Sequence, residues 1–303
     1  NRDLPGALGK LPGKWSLDDG VAVRDDGEAV PSYLAPFKFG PGSRQRARAA
    51  SSQESAYFDL EAYHPMLDML LASLPEGAIV GDVGCGDGRF TNYMLSRRPD
   101  ILVVAADINS QNLKSLIDHL DADQAARVLP VLAPLEQFSD FDQFFDAIVA
   151  LEVLYTLPNP ESGYRTVASI LRPDGYALVS NIAKSAYFVH ALLNSDWQQI
   201  DRIVSKGQYL DHVLGDRDHP FLAKLYDEKL MREHAVQANL SLVASSMQSG
   251  AAALMLHAMK ARNNGRPTVA ENQHLLEKVN LCDLTIPRIY IDLLRNSAGR
   301  RPE

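Results

Sequence analysis

Apolar residues follow two different spacings along the middle of the chain. Short runs that are apolar almost throughout alternate with segments whose apolar residues recur at helical spacing. Runs of the first kind are typical of parallel strands that are buried on both faces. We expect strands at 78–83, 101–106, 127–132, 145–151 and 176–182, and helices between them at 88–98, 110–120 and 160–171. The pattern predicts an α/β fold with a doubly wound, mostly parallel sheet and helices on both faces.

The rest of the chain divides around this core. Residues 1–51 are rich in glycine, proline and charge without a steady period, and they predict an irregular N-terminal arm. A helix at 52–74 opens the core, which extends over 52–183. Residues 184–238 show mixed helical patterns and no strand run, so they predict a helical insertion. Residues 239–303 would complete the fold, with a strand at 241–247 and helices at 251–262 and 270–295.

The charge of the chain argues against nucleic acid as a partner. The formal net charge is -8, so the protein lacks the positive field that attracts a phosphate backbone. Arg44, Arg46 and Arg48 form a local basic group, but they lie beside glycine and proline and fit a solvated connector. At 46% hydrophobic and 22% charged residues, the composition is that of a globular protein with a sizeable core.

Cysteine content and hydropathy indicate the cellular compartment in which the protein is expected. Cys85 and Cys282 are too few for a disulfide framework or a zinc site of several thiolates, which fits a reducing environment. No apolar run approaches the roughly 20 residues that span a bilayer, and the polar N-terminal region has no signal-peptide core. We therefore expect a cytoplasmic protein with no membrane partner. A homo-oligomer is compatible with the sequence. The first residue is asparagine, which leaves open whether the chain is a fragment.

A glycine-rich loop follows the first predicted strand. Gly84, Gly86 and Gly88 alternate along it, and a helix follows directly. Glycines allow a sharp turn and let a ligand lie against bare backbone, while a helix N-terminus adds a partial positive charge. The pattern also occurs in ordinary turns, so its context decides its meaning.

An acidic residue supplies that context. Asp107 ends the second apolar run, roughly 20 residues beyond the loop, where dinucleotide-binding folds place an acid that accepts hydrogen bonds from ribose hydroxyls. The alternative is that Asp107 caps the helix that begins near Ser110.

The segment from Asp82 to Gly88 resembles the first motif of class I S-adenosylmethionine-dependent methyltransferases. Similar stretches follow at 105–109, 145–152 and 171–175, so the resemblance covers about residues 55–183. It implies S-adenosylmethionine as the cofactor, with Asp82 orienting the loop and the methionine amino group. The residues expected to bind the cofactor are Asp82, Gly84, Cys85, Gly86, Gly88, Asp107, Ile108, Leu135 and Glu152.

The sequence departs from the family pattern at two positions. Pro134 stands where the family often has an Asp beside the adenine amino group, so adenine would depend on main-chain groups around Leu135 or on Glu136. After the fourth strand, Glu152 opens a segment that lacks the His found in many small-molecule members.

Candidate catalytic residues are few, because a sulfonium methyl is already activated and mainly needs an aligned nucleophile. If the acceptor must lose a proton, His190, just beyond the fifth core strand, is the candidate base. Tyr155 is the second candidate, as a residue lining the acceptor pocket. Simple packing is the alternative for both residues.

Four metal-ligand side chains occur close together after residue 211, namely His212, Asp216, Asp218 and His219. Their spacing matches no recognisable site and they lie among turn residues, so we expect no metal.

We therefore expect a methyltransferase that acts on a small organic molecule, with 184–238 covering the acceptor site. Two alternatives stay open. One is modification of a peptide or protein side chain, and the other is a non-catalytic assembly partner that only binds the cofactor.

Overall fold

The computed structural model describes residues 14–25, 63–193, 195–211, 221–249 and 287–297. Residues 52–62 of the first predicted helix lie outside the described residues, as do the predicted helix at 251–262 and residues 270–286 of the next one.

The described elements alternate between strands and helices through the core. The strands are β1 (Trp15–Asp18), β2 (Val21–Arg24), β3 (Ile79–Val83), β4 (Leu102–Asp107), β5 (Val128–Leu132), β6 (Phe145–Ala150), β7 (Leu171–Ile182), β8 (Gln208–Asp211), β9 (Phe221–Lys224), β10 (Leu240–Ser249) and β11 (Pro287–Asn296). The helices are α1 (His64–Ser73), α2 (Arg89–Arg97), α3 (Ser110–His119), α4 (Ala122–Ala125), α5 (Pro160–Ile170), α6 (Lys184–Leu193), α7 (Trp197–Lys206) and α8 (Glu228–Gln237). Two short 3-10 helices lie at Leu135–Asp140 and Leu154–Thr156.

Nine of these strands form one mixed sheet in the order β1-β2-β5-β4-β3-β6-β7-β11-β10. Neighbours from β2 to β7 are parallel, whereas β1, β11 and β10 pair antiparallel with their neighbours. The predicted fold class and all five predicted core strands are confirmed. β7 begins at Leu171 rather than at 176, because residues 172–175 bulge between the pairs Phe145–Leu171 and Ala147–Tyr176.

Two hydrophobic layers cover the sheet. α1, α2 and α3 contribute Leu67, Met94 and Leu113 to one buried face. α5 and α8 contribute Val167 and Ala235 to the other. Burial of these faces supplies most of the driving force for the fold. Within the described ranges, no helix is long and apolar enough to span a membrane.

The prediction of a wholly irregular N-terminal arm is wrong for residues 15–24. β1 and β2 form a hairpin around Asp19 and Gly20, both at positive φ, and β2 extends the sheet beside β5. An Asp-Gly pair between short apolar runs is a hairpin signal that the sequence did contain.

The prediction that 184–238 lacks strands is also wrong. β8 and β9 form a separate antiparallel pair after α6 and α7. The last helix of this stretch, α8, packs against α5 and β10, and therefore against the core.

The predicted helix over 270–295 is wrong for its described part. Residues 287–296 form β11, which lies between β7 and β10. Ile289, Ile291 and Leu293 are buried on one face at every second position, which is the period of a strand. The neighbouring Leu294 faces the other layer, so both faces of β11 carry apolar residues at its end and the apolar–polar alternation in the sequence is interrupted there.

Candidate functional site

The chain reverses its direction of strand addition at β3. From β3 it proceeds to β4 and β5 on one side, and then to β6 and β7 on the other side. In open α/β sheets, the loops at the carboxyl ends of such strands diverge and leave a crevice that binds ligands. The glycine loop and the residue after β6 both lie at this edge.

Hydrogen bonds to β4 hold the glycine loop. The amides of Gly84 and Cys85 donate to the carbonyl of Ala106 at 2.8 and 3.0 Å, and the amide of Gly88 donates to the carbonyl of Cys85 at 3.0 Å. These amides fix the shape of the loop instead of facing a ligand. The loop therefore presents backbone without side chains to a ligand, and not a set of free N–H donors.

The three glycines differ in their surroundings, although all have positive φ. A Cβ at Gly84 would lie 2.4 Å from Val153, and one at Gly88 would lie 2.2 Å from Leu116. A Cβ at Gly86 would meet nothing within 4 Å. Gly84 and Gly88 are therefore required for packing, whereas Gly86 opens onto the space where the predicted ligand would lie.

Asp107 joins the end of β4 to this loop. Its side chain, 7% exposed, accepts hydrogen bonds from the Gly86 amide at 2.9 Å and the Asn109 amide at 2.8 Å. The Asn112 side chain donates a third at 2.9 Å. The helix-cap alternative is not what the structure shows, since the cap of α3 is Asn109, whose side chain accepts from the Gln111 amide. Asp107 thus lies beside the glycine loop, where the ribose-binding prediction requires it.

Asp82 lies beneath the loop and is 2% exposed. Its carboxylate accepts a hydrogen bond from the Thr91 hydroxyl at 2.5 Å, in the first turn of α2. Burial raises the pKa of Asp82 to about 7, opposed by the hydrogen bonds from Thr91 and reinforced by the charge of Asp107. Asp82 connects β3 to α2 and so fixes the two ends of the loop.

Cys85 is buried within the loop, and burial raises the pKa of its thiol well above the ordinary value, with further contributions from Asp82 and Asp107. The protonated thiol is a weak nucleophile, so the side chain serves packing. Ile108, half-buried, directly follows Asp107 at the same edge.

The predicted adenine region lies after β5. Leu135 begins a 3-10 helix behind Pro134, and its side chain is buried in the hydrophobic layer near Gly163. Its side chain is therefore unavailable to a ligand, and adenine binding by main-chain groups around Leu135 or by Glu136 stays a prediction.

Glu152 follows β6 with a positive φ of 63° and is surrounded by hydroxyl groups. Its Oε1 accepts from the Tyr63 hydroxyl at 2.7 Å and from the Ser180 hydroxyl at 3.0 Å, and its Oε2 accepts from the Tyr155 hydroxyl at 2.8 Å. The Glu152 amide in turn donates to Ser180 Oγ at 2.7 Å. We call Glu152, Tyr63, Tyr155 and Ser180 the Glu152 cluster.

Sequence reasoning missed Tyr63 and Ser180. Tyr63 lies 89 residues from Glu152 along the chain, and Ser180 lies 28 residues away. Both occupy ordinary positions in a helical and a strand pattern, so no local signal marks their hydroxyls. Only the pairing of the strands and the packing of α1 bring them to Glu152.

Tyr155 is buried, and burial together with the charge of Glu152 raises the pKa of its hydroxyl well above the ordinary value. It therefore acts as a hydrogen-bond donor to Glu152 at neutral pH. His190 is half-buried on α6, with its Nδ1 3.4 Å from the Tyr209 hydroxyl. That contact joins α6 to β8, as the packing alternative expects, and the catalytic role of His190 stays a prediction.

A third hydrophobic group lies at the carboxyl edge of the sheet. It joins Tyr155 and Ile182 of the core to Ile203, Ala223 and Tyr226 of the segment after β7. The four metal-ligand side chains that occur close together in the sequence, for which no metal was expected, lie outside the described residues. They are His212, Asp216, Asp218 and His219. Among the residues that the structure does describe, no group of three or more His, Cys, Asp or Glu side chains is placed to hold a metal ion.

Comparisons with known proteins agree with this geometry. A family model described as a methyltransferase domain matches residues 56–244, more than half of the chain. The mitochondrial ubiquinone biosynthesis O-methyltransferase of Dictyostelium discoideum is 32% identical over 161 residues, covering 50% of this chain and 49% of that protein. The ubiquinone biosynthesis O-methyltransferase of Xanthomonas axonopodis is 31% identical over 158 residues, covering 50% of this chain and 62% of the relative. The chain thus spans about half to three fifths of the length of these relatives.

A solved structure shares the fold at lower identity. An S-adenosylmethionine-dependent methyltransferase from Mesorhizobium loti superposes with a TM-score of 0.54 at 17% identity. The alignment covers 77% of this chain and 97% of that protein. The predicted family resemblance and the predicted fold are both confirmed.

Proposed function

Because this chain belongs to the methyltransferase-domain family, we propose that it transfers a methyl group from S-adenosylmethionine to a small organic molecule that carries a hydroxyl group. The observation that carries the proposal is the meeting of Gly86 and Asp107 at the point where the strand order reverses. When bound, S-adenosylmethionine supplies an activated methyl group, and the protein binds it and orients the acceptor.

The residues at this edge fit the cofactor. The open space at Gly86 would admit the methionine part against bare backbone, and Asp107 would accept hydrogen bonds from the ribose hydroxyls. Ile108 and the main chain around Leu135 would line the adenine side. Asp82 would hold the loop and orient the amino group.

The charges at the site also suit this cofactor. Asp82, Asp87 and Asp107 lie close enough to raise the pKa of the Cys85 thiol. Glu152 adds a carboxylate after the neighbouring strand β6. S-adenosylmethionine carries positive charge on its sulfonium and ammonium groups, so an acidic edge favours it. Glu152 would lie at the methyl end of the cofactor.

The nature of the acceptor is inferred from two supports. The relatives described above are O-methyltransferases by name, which favours oxygen as the methyl acceptor here. Ile203, Ala223 and Tyr226, from the stretch 184–238, pack in one hydrophobic group with Tyr155 at the carboxyl edge, where a cover over the acceptor is expected. A covered site favours a small molecule over a flat polyanion.

The experiment is a turnover assay that measures S-adenosylhomocysteine. The protein is supplied with S-adenosylmethionine and fractions of a metabolite extract, a peptide library, or buffer alone. We expect S-adenosylhomocysteine only with a small-molecule fraction. When the hydroxyl groups of that fraction are chemically blocked before the assay, formation of S-adenosylhomocysteine should be lost. Product only with peptides would replace this proposal by protein modification. Cofactor binding without turnover in any fraction would favour the non-catalytic alternative.

A further inference from the structure

The Glu152 cluster is assembled from parts of the chain that are distant in sequence. Tyr63 precedes α1, Tyr155 lies in a 3-10 helix, and Ser180 lies near the end of β7. Their three hydroxyls donate to one carboxylate at 2.7, 2.8 and 3.0 Å. Since the Ser180 oxygen also accepts from the Glu152 amide, both the backbone and the side chain of Glu152 are fixed in place.

This carboxylate lies next to the glycine loop. Val153, the next residue, would touch a Cβ at Gly84, so the segment after β6 packs directly on the loop. The Tyr63 ring packs on Phe90 in the first turn of α2, with ring centroids 5.2 Å apart. Glu152 is therefore held at the end of the crevice where the proposed methyl transfer takes place.

The hydrogen bonds are distributed unequally over the two carboxylate oxygens. Oε1 accepts from Tyr63 and Ser180, whereas Oε2 accepts from Tyr155 alone among the described residues. A carboxylate oxygen has about two lone-pair sites, so Oε2 retains the capacity to accept one more hydrogen bond. Glu152 is half-buried, so part of its surface is exposed.

We propose that Glu152 recognises the methyl acceptor, with Oε2 accepting a hydrogen bond from a hydroxyl or amine at, or next to, the atom that is methylated. The inference rests on the proposed function and names the class of acceptor for that site. Tyr63 and Tyr155 are positioning residues, because they act on the acceptor only through Glu152. Carboxylate acceptors are excluded, since an ionised carboxylate cannot donate and is repelled by the acidic edge.

Direct binding to the protein saturated with S-adenosylhomocysteine tests this proposal by calorimetry. The probes are catechol, which donates two hydrogen bonds, its dimethyl ether 1,2-dimethoxybenzene, which donates none, and benzoate, which is an anion. We expect catechol to bind at least about tenfold more tightly than either, because a hydrogen bond to a charged group contributes roughly 10- to 100-fold in affinity.

Two variants give the test its controls. Glu152→Gln should weaken catechol binding by about tenfold or more while leaving 1,2-dimethoxybenzene unchanged. Tyr63→Phe removes one donor to Oε1 and should raise the KM for a hydroxyl acceptor more than it lowers kcat. Circular dichroism and thermal unfolding establish that both variants are folded.

Several outcomes would overturn the inference. These are tighter binding of benzoate than of catechol, equal binding of catechol to the parent and to Glu152→Gln, and no binding of any probe. Each is distinguishable from failure of the proposed function, because S-adenosylmethionine binding and S-adenosylhomocysteine formation with the metabolite extract are measured separately. Absence of cofactor binding by the parent protein would overturn both the inference about Glu152 and the proposed function.

Discussion

The Gly86 amide donates a hydrogen bond of 2.9 Å to the Asp107 carboxylate, 21 residues away along the chain. This contact joins the loop after β3 to the end of β4, and it lies at the edge where the parallel strands end. Asp107 therefore has a structural role in the loop as well as its proposed role toward ribose.

The first prediction concerns the charge of Asp107. Asp107→Asn keeps the size and shape of the side chain but places its NH2 group against at least one of the three groups that donate to Asp107, namely the amides of Gly86 and Asn109 and the side chain of Asn112. We expect S-adenosylmethionine binding to weaken by about 10- to 100-fold, since charge-assisted hydrogen bonds contribute roughly 1.5–3 kcal/mol each. Calorimetric titration measures the effect. Asp123→Asn removes the same charge at an exposed position and should bind the cofactor like the parent.

The second prediction compares two glycines with similar backbones. Gly86 and Gly77 both have positive φ, and a Cβ on either would meet nothing within 4 Å. An alanine there has a left-handed backbone that costs roughly 1–2 kcal/mol of stability. Gly86→Ala should also weaken cofactor binding by about tenfold or more, because the methyl group enters the proposed ligand space. Gly77→Ala, which lies before β3 at the opposite edge of the sheet, should not.

A result in which Gly86→Ala and Gly77→Ala bind the cofactor equally well would place the cofactor elsewhere. Gly88→Ala provides a separate check on packing. Its Cβ would lie 2.2 Å from Leu116, so thermal unfolding should show a larger loss of stability than for Gly86→Ala.

The third prediction concerns pH and Asp82. Folding raises the pKa of this carboxyl from 3.8 to about 7, mainly through burial. Between these values the folded state binds more protons than the unfolded state, so this contribution to stability is complete below about pH 4 and is lost as the pH rises to about 7. Asp82→Asn cannot ionise and does not lose this contribution. Its free energy of unfolding relative to that of the parent should therefore increase from pH 5 to pH 8.

Urea unfolding of the cofactor-free protein at both pH values measures that difference. Asp121→Asn, an exposed helix-cap acid, serves as the control for a general change in charge. A parent-to-variant difference that is the same at pH 5 and pH 8 would mean that Asp82 is not titrating in this range.

The fourth prediction separates two aromatic residues of the segment after β7. Phe188 packs on the group that contains Tyr155, whereas Trp197 is 67% exposed. If the stretch 184–238 covers the acceptor, Phe188→Ala should raise the acceptor KM by about tenfold with little change in cofactor Kd. Trp197→Ala should change neither constant. Equal effects of Phe188→Ala on acceptor and cofactor would count against the cover.

The fifth prediction concerns His190 as a base. With a hydroxyl acceptor, His190→Ala should lower kcat by roughly 10²-fold, in the range of general base catalysis. Tyr209→Phe removes the hydroxyl that contacts the His190 ring and controls for local packing. An unchanged kcat for His190→Ala would assign the residue to packing between α6 and β8.

The sequence alone determined the core of the fold and the position of the glycine loop. Runs such as 101–106 are apolar almost throughout, which is typical of a parallel strand buried on both faces. The alternating glycines after β3 indicate a turn with positive φ, which residues with a side chain rarely adopt. Local patterns of this kind depend on neighbours in the chain, so they are visible in the sequence.

Tertiary structure decided the features that depend on distant parts of the chain. β11 is a strand because β7 and β10 pair with it on both sides, although its pattern was ambiguous. Glu152 meets Tyr63 because α1 packs against β7, the neighbour of β6 in the sheet, and nothing near either residue in sequence indicates the contact. Hydrogen bonds between side chains far apart along the chain leave no periodic trace in the sequence, so only the folded arrangement of the strands reveals the Glu152 cluster.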